Sequence, residues 1–110
     1  MTTNLAVNIV RYVDDHQPGW VESQFLDAKG RRHSFVDKVP SFTSAGPLDA
    51  NTAYPQSGYV TCEVLSRSQD EQGRSVAHIT TARPYYIEST DGLLEFDVLS
   101  TQLGIGSVRL

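Results

Sequence analysis

Three turn motifs of one kind divide this chain into short segments. Each motif places an Asp or Ser three residues before a Gly, and the tetrapeptides are Asp27-Ala28-Lys29-Gly30, Asp70-Glu71-Gln72-Gly73 and Ser89-Thr90-Asp91-Gly92. In a type I turn the Asp or Ser side chain caps the first position, and the Gly supplies the left-handed conformation that closes a bulged hairpin. Three such hairpin turns predict at least six antiparallel strands.

The segments that flank these turns alternate apolar and polar residues with a period of two, as half-buried strands do. In the last segment Leu94, Phe96 and Val98 are predicted to face the core, while Glu95 and Asp97 face solvent. In the first segment the residues predicted to share the inward face are Leu5, Val7, Ile9 and Val13. A turn at Gln17-Pro18-Gly19-Trp20 is predicted to end that strand.

The predicted fold is all-β, a single small antiparallel β-barrel of about six strands that takes in residues 1–110 as one domain. Hairpins that follow one another around one core leave fewer exposed strand edges than a flat sheet. A two-sheet β-sandwich is the alternative. Helical signals are weak, and the best place for one short helical turn is Leu48 to Tyr54.

A long loop is predicted at about residues 40–58, where three prolines and three alanines lie among Ser, Thr and Asn residues. Loops of this length are uncommon in a small domain and tend to be binding elements. The loop is therefore the first place to look for a functional surface.

The charge balance argues against nucleic acid as a partner. The chain has nine Lys and Arg residues against 13 Asp and Glu residues, a formal net charge of −4. Nucleic-acid binders usually carry a basic excess. The short basic cluster Arg31, Arg32 and His33 is explained more simply as an edge strand protected against aggregation.

The sequence also argues against a membrane protein and a secreted protein. No apolar run approaches the ~20 residues that cross a bilayer, so no membrane association is expected. The start of the chain lacks the basic and apolar regions of a secretory signal, and the single Cys62 can form no internal disulfide. These features predict a cytoplasmic protein.

No catalytic or metal site is predicted. His16, His33 and His78 are scattered without the spacing of metal ligands, so neither metal nor cofactor is expected. His33 and Asp37 share one strand face, but no nucleophile motif accompanies them. Cys62 has no neighbouring positive charge and is expected to be buried and inert.

The aromatic residues near strand ends give the candidate binding surface. We predict that it is built from Phe42 and Tyr54 of the long loop together with Arg83 and Tyr86. Arg83-Pro84 ends a strand because Pro cannot donate to a ladder, which places its neighbours at a barrel rim. Tyr85 and Tyr86 are adjacent, so on a strand one of them points away from the core.

These features predict a non-enzymatic binding or interaction module with an unknown protein or small-molecule partner. A small-ligand binder or a cryptic hydrolase is one alternative. An immunity-type protein that masks a basic partner is another, and the acidic net charge suits it.

Three segments carry a resemblance to known proteins, and they are Gly19-Trp20-Val21-Glu22, Gly30-Arg31-Arg32-His33-Ser34-Phe35-Val36-Asp37-Lys38-Val39-Pro40 and Ile87-Glu88-Ser89-Thr90-Asp91-Gly92. In these segments the chain resembles short bacterial proteins of unassigned function. Its hairpin arrangement is similar to small six-stranded barrels such as the second domain of elongation factor Tu. The resemblance implies a barrel and gives no mechanism.

Overall fold

The strands of the protein form one antiparallel sheet in a computed structural model that describes residues 2–15, 19–43 and 48–104. In chain order the strands are β1 (Thr2–Asp14), β2 (Trp20–Leu26), β3 (Arg32–Lys38), β4 (Gln56–Gln69), β5 (Ser75–Thr80) and β6 (Glu95–Leu99). They lie across the sheet in the order β3-β2-β1-β4-β5-β6. The all-β prediction is confirmed: six strands form one curled sheet, not the two sheets of a sandwich.

The three predicted turns are present, but only two of them join strands, β2 to β3 and β4 to β5; the turn at Ser89–Gly92 lies inside the connection between β5 and β6 and joins no two strands of the described chain. The Asp27 carboxylate accepts the N–H groups of the residues two and four positions later, each at 2.9 Å, and Asp70 does the same. The Ser89 hydroxyl accepts a backbone N–H at 3.0 Å. The glycines of these turns have φ between +79° and +82°, and they are Gly30, Gly73 and Gly92. The hydrogen bonds of these side chains therefore lie within each turn and involve no distant segment.

The long loop differs in detail from its prediction. A 3₁₀ turn, Val39–Ser41, follows β3, and β4 already begins at Gln56. The helical turn predicted at residues 48–54 is wrong, because the described residues there form a simple turn in which the Thr52 N–H donates to the Asp49 carbonyl. Part of the loop, half of the predicted first turn and the end of the chain lie outside the described residues, which omit 44–47, 16–18 and 105–110.

The first strand closes one side of the curl. It pairs with β4 along its first half and with β2 along its second half. The edge of β1 that β2 leaves open is occupied by the chain after β6, through a bridge between Leu5 and Leu103. The Gly104 N–H adds a hydrogen bond of 2.8 Å to the Asn4 carbonyl. The last described residues thus return to the first strand.

The two outer strands, β3 and β6, are linked by their neighbouring turns. The Ala28 N–H donates to the Asp97 carbonyl at 2.8 Å, and the Thr90 N–H donates to the Ser34 carbonyl at 2.8 Å. The Arg74 guanidinium also donates to the Ala28 carbonyl, at 3.1 Å. These bonds cover parts of both sheet edges, which limits the unpaired backbone that the edges present.

The core confirms most of the predicted strand faces. Phe96 and Val98 are buried, while Glu95 and Asp97 are exposed. The prediction for Val13 is wrong, because its side chain is 40% exposed. An irregularity between Ile9 and Arg11 shifts the register of β1 against β2, and Tyr12 packs against the core instead. An extra residue in a strand reverses the alternation beyond it.

Candidate functional site

The connection between β5 and β6 forms a loop with a hydrogen-bonded neck. The Ile87 N–H donates to the Thr81 carbonyl at 2.9 Å, and the Thr81 hydroxyl donates to the Ile87 carbonyl. Both residues are buried, and the Thr81 N–H donates to the Leu94 carbonyl at 2.8 Å. We call residues 82–86, above this neck, the tyrosine loop. The neck fixes the loop's base against the sheet.

The tyrosine loop carries two exposed aromatic rings. Tyr85 is 70% exposed and Tyr86 is 60% exposed. Because β5 ends at Thr80, these residues lie in a loop, and both rings face outward instead of one. Tyr86 has a φ of +53°, in the left-handed region that a bulky residue rarely adopts. The Arg83 guanidinium donates to the Glu63 carboxylate at 3.0 Å and ties the loop to β4.

A groove of about 410 Å³ lies beside this loop, and we call it the tyrosine groove. The residues that line it are Lys38, Pro40, Ser41, Tyr59, Thr61, Tyr85 and Ile87. One wall is the 3₁₀ turn, which is held to β4 by a bond of 2.8 Å from the Tyr59 N–H to the Phe42 carbonyl. A glycine is needed at position 58, because a Cβ on Gly58 would lie 2.7 Å from that carbonyl oxygen.

Lys38 provides the charge of the groove. It is the single charged residue in the lining, and within the described ranges its ammonium makes no ion pair. The ammonium lies 5.9 Å from the centre of the Trp20 ring. Four residues of the lining carry hydroxyl groups: those of Ser41 and Thr61 already donate, to a carboxylate at 3.1 Å and to an amide oxygen at 3.0 Å, and the other two are the phenol groups of Tyr59 and Tyr85. The ammonium is therefore the charged donor that the groove offers to an anion, with the phenol groups of Tyr59 and Tyr85 in the same lining.

The four predicted binding residues occupy different places. Phe42 is fully buried, with its carbonyl behind the groove. Tyr54 is half-buried against the core, its hydroxyl donates to the Asp49 carbonyl at 2.8 Å, and burial raises the pKa of Tyr54. Arg83 and Tyr86 lie together in the tyrosine loop. Tyr54 is not part of the groove lining, and a binding role for these residues stays a prediction.

The other groove residues were not predicted as binding residues, although the sequence contains signals for the positions of some of them. Tyr59 alternates with buried Val60, which places its ring on the outer face of β4. Pro40 marks the start of a tight turn, since Pro is favoured in a first helical turn. Tyr85 is exposed because its segment is a loop, which the strand-based alternation did not predict. The tyrosine groove itself depends on contacts between distant segments.

His33 is paired with Asp27 and not with Asp37. Its Nε2 lies 2.8 Å from the Asp27 carboxylate, whereas Asp37 accepts the Lys38 N–H and the Ser41 hydroxyl. Four positions along a strand span ~13 Å, too far for His33 to reach Asp37. The hairpin register, by contrast, places His33 opposite Phe25, two residues before Asp27.

The geometry of the Asp27–His33 pair indicates a role in holding the fold together and not in catalysis. Since the carboxylate accepts, Nε2 carries the proton, and Nδ1 is buried without a hydrogen-bond partner among the described residues. The His33 ring packs on Phe25 and Phe96, with ring centres 5.2 and 4.9 Å away. Burial would raise the pKa of Asp27, but the bonds from His33 and from backbone N–H groups hold it below its ordinary value. A buried Nδ1 cannot take a proton from a substrate.

His78 is bonded through both ring nitrogens. Nδ1 lies 2.7 Å from the Asp97 carboxylate and Nε2 lies 2.8 Å from the Glu95 carboxylate, and these bonds raise the pKa of His78. His33 and His78 both line a cleft of about 220 Å³, and no described residue that lines it carries a hydroxyl or thiol. This cleft therefore offers no hydroxyl or thiol nucleophile among its lining residues.

Cys62 is fully buried, and burial raises its pKa to about 11. Its position agrees with the predicted buried thiol. In residues 2–15, 19–43 and 48–104 there is no group of three or more His, Cys, Asp or Glu side chains arranged to hold a metal ion.

Two further findings bear on function. None of the described helical segments is long and apolar enough to cross a bilayer. Comparison of the chain with models of known families, with curated proteins and with solved structures gives no match, so the function has to be inferred from the chain's own geometry.

Proposed function

We propose that this protein is a non-enzymatic binding module that recognises a polypeptide partner through the tyrosine loop and the tyrosine groove. The observation that carries the proposal is the exposure of Tyr85 and Tyr86, 70% and 60%, on a loop with a hydrogen-bonded neck. Tyr and Arg are enriched among the residues that dominate binding energy. A loop that is already ordered loses less conformational entropy when it binds.

A polypeptide suits this surface better than a small molecule. Ligand pockets bury most of a small molecule's area within one concavity. Here Tyr86 and Arg83 lie outside the groove lining, so the aromatic and charged surface extends beyond it. A partner that contacts both tyrosines must cover the groove and the loop together, as a chain segment on a protein surface does.

The net charge of the chain bears on the class of partner, and the Cys62 thiol bears on the cellular compartment in which the protein works. The net charge of −4 supports a protein partner over nucleic acid. The one cysteine, buried and unpaired, suits a reducing, cytoplasmic compartment. The expected resemblances, to short bacterial proteins and in fold to the second domain of elongation factor Tu, have no match in the comparisons and add nothing to this setting. A fold-level analogy identifies no partner.

Selection of binding peptides tests the proposal. A phage-displayed random peptide library is selected on the wild-type protein, and the enriched peptides are synthesised. Their affinities are measured for the wild type, for Tyr85→Ser/Tyr86→Ser and for the control Leu26→Ser/Leu65→Ser, whose leucines are 51% and 43% exposed. All three proteins are first compared by thermal unfolding.

We expect the tyrosine variant to bind the selected peptides at least about tenfold more weakly, because exposed Tyr rings at a binding site contribute 1–2 kcal/mol or more. The leucine control should bind like the wild type. Failure to enrich any peptide, or equal affinity for all three proteins, would contradict the proposal.

A further inference from the structure

Part of the β4 edge has no strand beside it in the part of the chain that the structure describes. β4 pairs with β5 only from Glu63, which lies opposite Thr80. The chain then leaves β4 to form the tyrosine loop. At the other end, the Tyr59 N–H is occupied by the Phe42 carbonyl of the 3₁₀ turn region. Thr61 lies between these two points, and its strand partner is Asn4 on the β1 side alone.

The backbone of Thr61 faces the tyrosine groove. In an antiparallel ladder, alternate residues direct both backbone groups toward the same side of the strand. Tyr59 and Glu63 both bond away from β1, toward the 3₁₀ turn and toward β5. Thr61 has the same parity, so its N–H and C=O also point away from β1. Thr61 lines the groove, and no described strand supplies a partner there.

We propose that the polypeptide partner binds in an extended conformation, as a short added strand whose backbone pairs with Thr61 and whose acidic side chain pairs with Lys38. This inference rests on the proposed function and deepens it. Unpaired edge groups are a template for another strand, and many domains bind peptides in this way. An added strand would fill the gap between the 3₁₀ turn and the tyrosine loop.

The charge of the groove selects an acidic side chain. Lys38 is the lining's single charged residue and makes no ion pair among the described residues. A carboxylate on the bound segment gives the ammonium a charge-assisted hydrogen bond. Tyr59 and Tyr85 line the same groove, so apolar side chains of the segment find aromatic surface beside that ion pair.

A helical partner does not satisfy Thr61, because the backbone groups of a helix bond within the helix. A second copy of this chain is the other occupant to be tested. It would pair its own edge with Thr61, and it would appear as concentration-dependent self-association.

The test uses a peptide from the selection above. The peptide is synthesised with one N-methylated amide at a time, and each version is titrated by fluorescence anisotropy. The exchange of the Thr61 amide is followed by NMR with and without peptide. Lys38→Gln is compared with Lys29→Gln, which removes an exposed lysine at the β2–β3 turn.

We expect N-methylation to weaken binding about tenfold at alternate positions only, because alternate N–H groups of a strand face one side. The Thr61 amide should become protected. Lys38→Gln should lower affinity and its salt dependence, and Lys29→Gln should not.

The outcomes separate this inference from the proposed function. Binding that needs the tyrosines but tolerates every N-methylation, with Thr61 unprotected, overturns the added strand and leaves the binding module standing. Thr61 protection in the protein alone, rising with its concentration, overturns the inference in favour of a second copy. Absence of any peptide binder overturns both.

Discussion

His78 links two strands through its side chain, with Asp97 at 2.7 Å and Glu95 at 2.8 Å. These hydrogen bonds raise the pKa of His78 above its ordinary value of 6.5. Because the folded pKa is the higher one, the bonded imidazolium stabilises the fold fully below the unfolded pKa, and this stabilisation is lost as pH rises through the folded pKa. The side chain is 37% exposed, so solvent screening limits the contribution to about 1 kcal/mol.

We therefore expect His78→Gln to be less stable than the wild type near pH 6 and almost equal to it near pH 9. Urea unfolding at both pH values measures the difference. A variant whose deficit is larger at pH 9 would show that the neutral imidazole, and not the charged one, makes the stabilising contacts.

Single residues also show where the sequence was sufficient. The burial of Phe96 and the exposure of Asp97 follow from alternation alone. The exposure of Val13 does not, because a register shift in β1 changes the face without a clear sequence mark. The alternation of residues along β3 also did not predict the hydrogen-bond partner of His33. The spacing indicated Asp37, which shares a strand face with His33, whereas the turn brings Asp27 to the ring.

At the scale of elements, the hairpins after β2 and β4 have the same type of turn, but the Asp of each turn makes a different additional hydrogen bond. Asp27 and Asp70 each accept two backbone N–H groups at 2.9 Å. Asp27 also holds His33, and its side chain is only 15% exposed. Asp70 adds a bond to the exposed side chain of Arg74.

We expect Asp27→Ala to lower the free energy of unfolding by about 2–3 kcal/mol, because it leaves the buried His33 ring without its acceptor. Asp70→Ala, the matched control, should cost clearly less, since solvent replaces its bonds. Urea unfolding of the two variants is the measurement. Equal losses would mean that the turn bonds, and not the histidine pair, determine the contribution of Asp27.

The 3₁₀ turn depends on a missing side chain in β4. A Cβ at Gly58 would lie 2.7 Å from the Phe42 carbonyl oxygen and 2.9 Å from Ile9 Cδ1. We expect Gly58→Ala to destabilise the protein by about 1–3 kcal/mol, the usual cost of overpacking. Exposed Ser57→Ala is the control. Trp20, the sole tryptophan, lies on β2 opposite Lys38, the last residue of β3 before the turn, and reports displacement through its fluorescence. An unchanged spectrum and stability would contradict this close approach.

Elements differ in how far the sequence predicts them. The three turns were predictable because an Asp or Ser side chain and a glycine three residues later determine each one locally. The loop before β6 was not, because its shape depends on Thr81 meeting Ile87. The tyrosine groove joins three segments, so no local pattern contains it. The placement of Arg83 and Tyr86 at a barrel rim, inferred from the neighbouring Pro84, stays a prediction.

At the scale of the whole molecule, β1 holds distant parts of the chain together. It pairs with β2, with β4 and, through Leu5, with Leu103 near the end of the described chain. Such pairing between distant segments makes partial unfolding costly, because releasing β1 exposes the core on both sides. Cys62 lies at the centre of this arrangement, paired with Thr3 of β1 and fully buried.

The thiol of Cys62 therefore reports on global opening. Burial raises its pKa to about 11, and a buried thiol does not meet a reagent in solution. We expect a thiol-specific disulfide reagent at about pH 8 to label the native protein at least ~1000-fold more slowly than the urea-unfolded protein, since only the small unfolded fraction reacts. The labelling rate should rise with urea along the same slope as equilibrium unfolding.

Phe96→Ala, which empties a core site, should accelerate labelling in proportion to its loss of stability. A labelling rate of Cys62 that changes neither with urea nor with Phe96→Ala would show that β1 and β4 separate locally. The sheet would then be less cooperative than its pairing implies.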